Sequence, residues 1–331
     1  MTKIRIISDL HYTRGINGPD YEKTYKQSGL YHYFGQKFKK EEPEYTLIAG
    51  DICEGVENHE KFLEAFFPNQ KVIFIDGNHI IYFTDENSGK PILSKVKQEL
   101  KEKFPKEHMF WHYLENDWMW LDYPKVAIIG STFYTDYNYC DLTLEEMNKH
   151  KKAWENCVAL WLGETEESVP YKKLTKSIIR NETMFTAYDR LNDFRWGYET
   201  KESHLTPQYY LKLHKLAKKE VKRCHDEILS INPNAKIILM THHCLSPQCI
   251  SEKYRKGLLN ASYTSNLENW VDKKLPGVKL VISGHVHNRC DFTFGKRNVK
   301  YLVNPCGYIP YGEPFNKPKF NPNLIIETDN L

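Results

Sequence analysis

The stretch Val278-Lys279-Leu280-Val281-Ile282-Ser283-Gly284-His285-Val286-His287 reads as a short buried strand that stops on a glycine and delivers two histidines. Its apolar run is too short for a core helix and rich in β-branched residues, as in a strand covered on both faces. Four other places repeat the arrangement. Ile4 to Ile7 runs into Asp9-Leu10-His11, Tyr45 to Ala49 into Gly50-Asp51, Val72 to Ile75 into Gly77-Asn78-His79, and Lys236 to Met240 into Thr241-His242-His243. A sixth strand, Val126 to Ile129, carries no such residues. Functional side chains on loops at the strand ends are the signature of an α/β sheet.

Beyond Ile282 the pattern changes to alternation. Cys290 to Phe294, a Gly295-Lys296-Arg297-Asn298 turn and Val299 to Val303 predict a hairpin, and Asn323 to Thr328 predicts an edge strand. Residues 135–230 read as helical instead. Thr143 with Glu146 makes a capping box before Met147, Trp154 and Leu160, and Thr206-Pro207 starts an amphipathic helix through Tyr210, Leu213, Ala217, Val221, Cys224 and Ile228. The expected organisation is a core of residues 1–134 and 231–331 interrupted by a helical cap at 135–230.

Charge narrows the function classes. With 46 basic and 43 acidic side chains the formal charge is +3, and the 135–230 stretch holds 16 of each sign. That disfavours an electrostatic clamp on nucleic acid or an anionic membrane. The eight cysteines lack paired spacing in a chain large enough to fold without staples, which predicts reduced thiols and a cytoplasmic setting. No apolar run approaches a membrane span, and the strand beginning at Lys3 leaves no room for a signal peptide.

The five motifs supply carboxylate, amide and imidazole ligands suited to two divalent cations, with Mn²⁺ preferred and Fe, Zn²⁺ or Ni²⁺ as alternatives. A phosphate ester repels its nucleophile, and a cation pair both neutralises that charge and generates hydroxide at neutral pH. Asp51 is the expected bridge between the ions. Asp9 and His11, two apart, would share one face of an extended segment and hold the first ion with His287. Asn78, His242 and His285 would hold the second. His79 is expected to assist the leaving group, oriented by Glu54 or, as runner-up, Asp76. The predicted reaction is hydrolysis of a small or terminal phosphomonoester or phosphodiester, such as a nucleotide, by a metal-bridging hydroxide. Two rivals are a nuclease or nucleic-acid end-processing phosphatase and an inactive metal-stabilised binding module.

The ordered motifs resemble those of the calcineurin-like metallophosphoesterase superfamily. The resemblance implies a four-layer α/β/β/α sandwich, with Asp9, His11, Asp51, Asn78, His242, His285 and His287 as ligands and His79 beside them. It is similar in particular to a group of bacterial and phage enzymes, through Gly130-Ser131-Thr132-Phe133-Tyr134-Thr135-Asp136, Asn192-Asp193-Phe194-Arg195 and Asn304-Pro305-Cys306-Gly307-Tyr308. Ile80 stands where many members carry an acidic residue, and Cys244 where Pro often follows the double histidine.

Several residues carry a plainer alternative. Arg195 could fork a substrate phosphate or form an internal salt bridge, and His243 could face substrate or pack structurally. Asp136 is a third candidate substrate contact. Trp154, Trp161 and Trp196 read as the small core of the cap. Cys244, Cys249 and Cys290 read as ordinary thiols in preference to a zinc knot. The remaining histidines, at positions 32, 59, 108, 112, 150, 204, 214 and 225, read as surface or packing residues.

Overall fold

Eleven strands are found among the described residues, and six of them begin within one residue of where the apolar runs place them. The architecture is that of a computed structural model, which describes residues 2–12, 43–82, 89–139, 180, 183–257, 259–308, 312–313 and 320–331. The Thr143/Glu146 capping box, Met147, Trp154, Leu160, Trp161, His32, His150, Cys140 and Cys157 lie outside them.

One sheet has five strands in the order β11-β1-β2-β3-β4. Strands β1 (Lys3–Ile7), β2 (Tyr45–Ala49), β3 (Lys71–Ile75) and β4 (Trp111–Tyr113) are parallel, and β11 (Ile325–Glu327) closes one edge antiparallel to β1. The other sheet runs β5-β6-β7-β8-β10-β9. Here β6 (Val126–Ser131), β7 (Lys236–Thr241), β8 (Val278–Ser283) and β10 (Val299–Val303) are parallel, with β5 (Asp117–Asp122) and β9 (Cys290–Phe294) antiparallel at the edges. The β9–β10 hairpin and the C-terminal edge strand are where the alternation predicts them. A parallel bridge from Ser8 to Pro305 joins the sheets at the ends of β1 and β10.

Strand pleating makes the layers. Ile4, Ile6, Leu47, Ala49, Ile73 and Ile75 point between the sheets, where they meet Ile128, Ile238, Met240, Leu280 and Ile282. Their neighbours Ile7, Ile48, Val72 and Phe74 point outward to Phe62 and Leu63 of α1 (Val56–Phe66) and Val96 and Leu100 of α2 (Leu93–Lys103). Two sheets face to face, each with helices outside, form the four-layer sandwich.

The outer helical layer of the second sheet draws on residues from the 135–230 stretch. Helix α4 (Pro207–Ile231) follows the four-residue α3 (Asp193–Trp196) and begins as its sequence predicts, with Thr206 Oγ1 accepting from the Tyr209 N–H and Pro207 in the first turn. Its stripe of Ala217, Val221, Cys224 and Ile228 is buried against Ala127, Ile129, Ile237 and Leu239. The 135–230 division assigns this helix to the cap, yet it covers the core sheet. Met184, Ala187, Phe194 and Leu205 likewise pack into the cluster outside the first sheet. Trp196, by contrast, is 43% exposed.

A buried charge cluster ties the sheets together beside the strand ends. The Lys97 ammonium, on α2, lies 2.9 Å from Asp76 Oδ2 and 3.1 Å from Glu115 Oε1, and donates to Thr132 Oγ1 at 2.7 Å. Tyr113 and Thr132 also donate to Asp76 Oδ1, at 2.8 and 2.6 Å. Burial pushes the Asp76 carboxyl up, but Lys97 and these donors outweigh it and hold the group below its ordinary 3.8. The Asp76 contribution to stability is therefore present above pH 3.8 and lost as pH falls through the lower folded value. Lys97→Met, which strands two carboxylates, is expected to lower the unfolding free energy by about 3 kcal/mol. A urea midpoint equal to the parent's would show that the cluster contributes nothing.

Candidate metal centre

Five of the seven proposed ligands stand in left-handed backbone. The φ angles are +53° at Asp9, +44° at His11, +48° at Asp51, +70° at His285 and +45° at His287. Such conformations are uncommon for residues with a Cβ, cost about 1–3 kcal/mol each and persist only where surrounding structure over-determines them. Asp9/His11 and His285/His287 therefore do not project from extended segments as the two-residue spacing suggests. The chain turns sharply after each strand, and the turns aim the side chains.

Glycines allow those turns to crowd together. A Cβ on Gly77 would stand 2.0 Å from Asp51 Oδ1, and one on Gly50, itself at φ +84°, would stand 2.3 Å from His242 Nδ1. The motif glycines are thus the space into which the ligands fit.

Asp51 lies at the centre. Its Oδ2 is 3.3 Å from His242 Nε2, 3.8 Å from His11 Nε2 and 3.9 Å from His79 Nε2, while Oδ1 accepts from the His79 backbone N–H at 3.0 Å. Burial pushes the carboxyl up, but His242, His79 and His11 hold it well below the usual range. On one side, Asp9, His11 and His287 offer atoms within 4.8 Å of one another, with His11 Nε2 only 2.9 Å from His287 Nε2. On the other, Asp51, His242 and His285 do the same. His242 Nε2 also faces Asn78 Oδ1 at 3.1 Å, so it has two oxygens before it. Convergent imidazoles and carboxylates on either side of a shared, charged Asp51 form a donor set that fits two cations.

Neighbouring groups orient these donors. His242 Nδ1 lies 3.0 Å from the Ala49 carbonyl and His287 Nδ1 lies 2.7 Å from Glu313 Oε2, leaving each Nε2 directed inward. Asp9 Oδ1 accepts from the His285 N–H at 2.7 Å and Oδ2 from Ser8 Oγ at 2.6 Å. The Asn78 amide donates to Asp193 Oδ1 at 2.9 Å and to Tyr82 Oη at 3.0 Å, which turns its carbonyl toward His242. Tyr82 donates to Asp193 as well.

Asp193, Tyr82, Glu313 and Tyr308 are functional candidates to which the sequence reading assigns no role. Asp193 and Tyr308 sit inside quoted motifs, so a signal exists for them. Glu313 has none. The Tyr308 ring packs 4.4 Å from that of His11, and its hydroxyl is 3.3 Å from His79 Nε2. Glu54 Oε1 is 3.9 Å from His79 Nδ1, within ion-pair reach but beyond a direct hydrogen bond. Asp76, the runner-up, belongs to the Lys97 cluster instead.

The three candidate substrate contacts are not drawn into the centre. Arg195 is exposed and donates to the Asp189 carbonyl at 2.6 Å. Asp136 accepts from the backbone and side chain of Asn138 at 3.1 and 2.9 Å, closing its own loop. His243 is 2% exposed, its ring 4.3 Å from that of His285 and inclined by 44°, and burial with the neighbouring His242 pushes its pKa down to about 3. It packs as a neutral ring behind the proposed ligand His285. Cys244, Cys249 and Cys290 do meet in space, with Cys249 between the other two, but the cluster packs with Val303 and Val286 as an apolar patch. The six described cysteines are all free thiols.

Residues 2–289 match the calcineurin-like phosphoesterase family, to which this chain belongs. Its fold is similar to that of the phosphopantetheinyl hydrolase PptH from Mycobacterium tuberculosis, with a TM-score of 0.58 at 15% identity over 95% of this chain and 92% of that one. No curated protein matches the sequence. No helix among the described residues is long and apolar enough to cross a membrane.

Proposed function

We propose that this phosphoesterase is a dinuclear enzyme hydrolysing a small or terminal phosphomonoester or phosphodiester in the cytoplasm, with Mn²⁺ as the preferred metal. The observation that carries the reading is Asp51 Oδ2, lying within 3.9 Å of imidazoles from three separate strand-end loops. Asp9, His11 and His287 would hold one cation, Asn78, His242 and His285 the other, and Asp51 both. The cations supply charge neutralisation at the phosphate and an ionised water as nucleophile.

The chain does the rest. Buried walls around Asp51 exclude bulk water and strengthen every charge interaction at the phosphate. His79, whose Nε2 faces Asp51, is placed to give a proton to the departing ester oxygen or to hold its charge. Glu54 and Tyr308 flank the His79 ring on its two nitrogens and restrict its orientation. The even charge of residues 135–230 supports a small or terminal ester over a long nucleic acid. Turnover of p-nitrophenyl phosphate or its bis-ester on adding Mn²⁺, abolished by a chelator, tests the reading. Inactivity toward both with Mn²⁺, Fe, Zn²⁺ and Ni²⁺ would overturn it.

Metal uptake should be proton-coupled. Burial pushes the His242 pKa down, but the Asp51 carboxylate outweighs it and raises the ring to about 9. A ligating nitrogen must be deprotonated, so metal affinity is expected to fall as pH drops below about 9 and binding at pH 7 to release protons. Calorimetric titration with Mn²⁺ in two buffers of different ionisation enthalpy reads this directly. Identical heats in both would contradict it.

A further inference from the structure

A cavity of about 390 Å³ opens beside His285, the residue it shares with the Asp51–His242 group. Ile250, Leu259, Tyr254, Tyr263 and Val286 supply most of its wall. The Tyr263 ring lies 5.0 Å from that of His285, inclined by 36°, so the apolar wall runs onto the proposed ligand without a break. Among the described residues, the lining contains no lysine, arginine, aspartate or glutamate. Its remaining polar members are Ser251 and Asn260, and the Asn260 amide is taken up by the Tyr254 carbonyl at 2.8 Å.

We infer that this cavity is the binding site for the organic group of the phosphate ester, and that the group is uncharged and largely apolar, with an aromatic ring as its best-fitting form. The inference rests on the proposed phosphoesterase reading. His79 and His285 each offer a nitrogen within 4.8 Å of an Asp51 oxygen. An ester oxygen placed over Asp51 is therefore within reach of His79, while its carbon substituent extends past His285 into the cavity.

Wall chemistry selects the class of substituent. A second phosphate, a carboxylate or an ammonium entering this space would lose its hydration and find no opposite charge in the lining. An aromatic ring gives up nothing of that kind and can lie against Tyr254 and Tyr263. The volume falls at the lower end of small-molecule sites, enough for a bicyclic ring and too little for a polymer. Substrates whose organic part is a polyanion or a charged amino acid should be poor.

Phenyl phosphate and 2-naphthyl phosphate test this, because their leaving groups differ little in acidity while one carries a second ring. For the metal-loaded parent enzyme, kcat/KM should favour the naphthyl ester by about tenfold, the effect of burying four more aromatic carbons. Leu259→Asp puts a charge into the wall and should bring the ratio close to one. If that variant does not fold, Tyr254→Asp, on a side chain already 59% exposed, makes the same test. A ratio near one in the parent, or about tenfold in the folded variants, would overturn the inference.

Binding separates this outcome from failure of the enzyme reading. With Zn²⁺ in place of paramagnetic Mn²⁺, the intrinsic fluorescence of 2-naphthyl phosphate reports its Kd without turnover. An inactive parent that binds the naphthyl ester, with about tenfold weaker binding in Leu259→Asp, would retain the cavity assignment and remove the hydrolytic one. Equal binding by parent and variant would remove the cavity assignment whatever the activity.

Discussion

Asp51→Asn is expected to lower kcat/KM for an aryl phosphate on the order of 10³-fold, beyond the 10–100-fold typical of a partner that only orients a metal ligand. Asp51 is the proposed bridge between the two metal positions, and its Oδ2 faces three imidazoles. An amide keeps the shape but offers one neutral oxygen, leaving two dications to repel each other without a shared negative charge. Its NH₂ would also meet donors, either the His79 N–H that now bonds Oδ1 or the imidazole nitrogens around Oδ2. The parent should melt at a higher temperature when Mn²⁺ is added, as any ligand of the folded state alone requires, and that increment should largely disappear in the variant. Retention of both the activity and the metal-induced increment would remove Asp51 from the bridge and the dinuclear reading with it.

His79→Ala should reduce kcat by about 10²–10⁴-fold, the usual range for a general acid, while leaving the Mn²⁺-induced rise in melting temperature intact. The two readouts distinguish His79 from a ligand. Leaving-group dependence distinguishes it from a packing residue: an alkyl phosphate needs its departing oxygen protonated, whereas p-nitrophenolate leaves readily without help. The loss is therefore expected to be larger for the alkyl ester, and equal losses would argue that His79 does not donate a proton. Substitution of Tyr308 or Glu54 should act on the same step, since Tyr308 lies 3.3 Å from His79 Nε2 and Glu54 3.9 Å from Nδ1.

Much of this centre was legible because its signals are local. Each of β1, β2, β3, β7 and β8 is a short β-branched run ending at a turn that carries a proposed ligand, and both the run and the turn can be read within ten residues. The edge strands β4, of three residues, and β5 were less visible, being built on Trp111, Trp118 and Trp120 with no continuous aliphatic stretch. Helix α4 was legible as a helix from its 3.6-residue stripe, but the stripe says only that something apolar lies opposite. That its partner is the second sheet, and not a separate cap, depends on where the chain returns after residues that carry no such signal.

The placement of the candidate substrate contacts was illegible for a related reason. Arg195 lies two residues from Asp193, yet Asp193 points into the centre and bonds Asn78 across 115 positions of sequence while Arg195 faces solvent. In so short a helical turn, adjacent side chains leave in different directions, and composition cannot tell which is aimed inward. His243 beside His242 makes the same point. One ring reaches Asp51 and the other packs behind His285.

From its own order of residues the chain determined the strands, the pleating that sorts apolar side chains between two sheets, and the histidines and carboxylates at the strand ends, because those depend on periodicity and chemistry over a few positions. Only the tertiary structure decided which of them meet: the left-handed turns at Asp9, His11, Asp51, His285 and His287, the Asp193 and Glu313 partners, and the neutral cavity beside His285. Those are set by distances between segments far apart in the chain, and such distances exist only once the core between the sheets has closed.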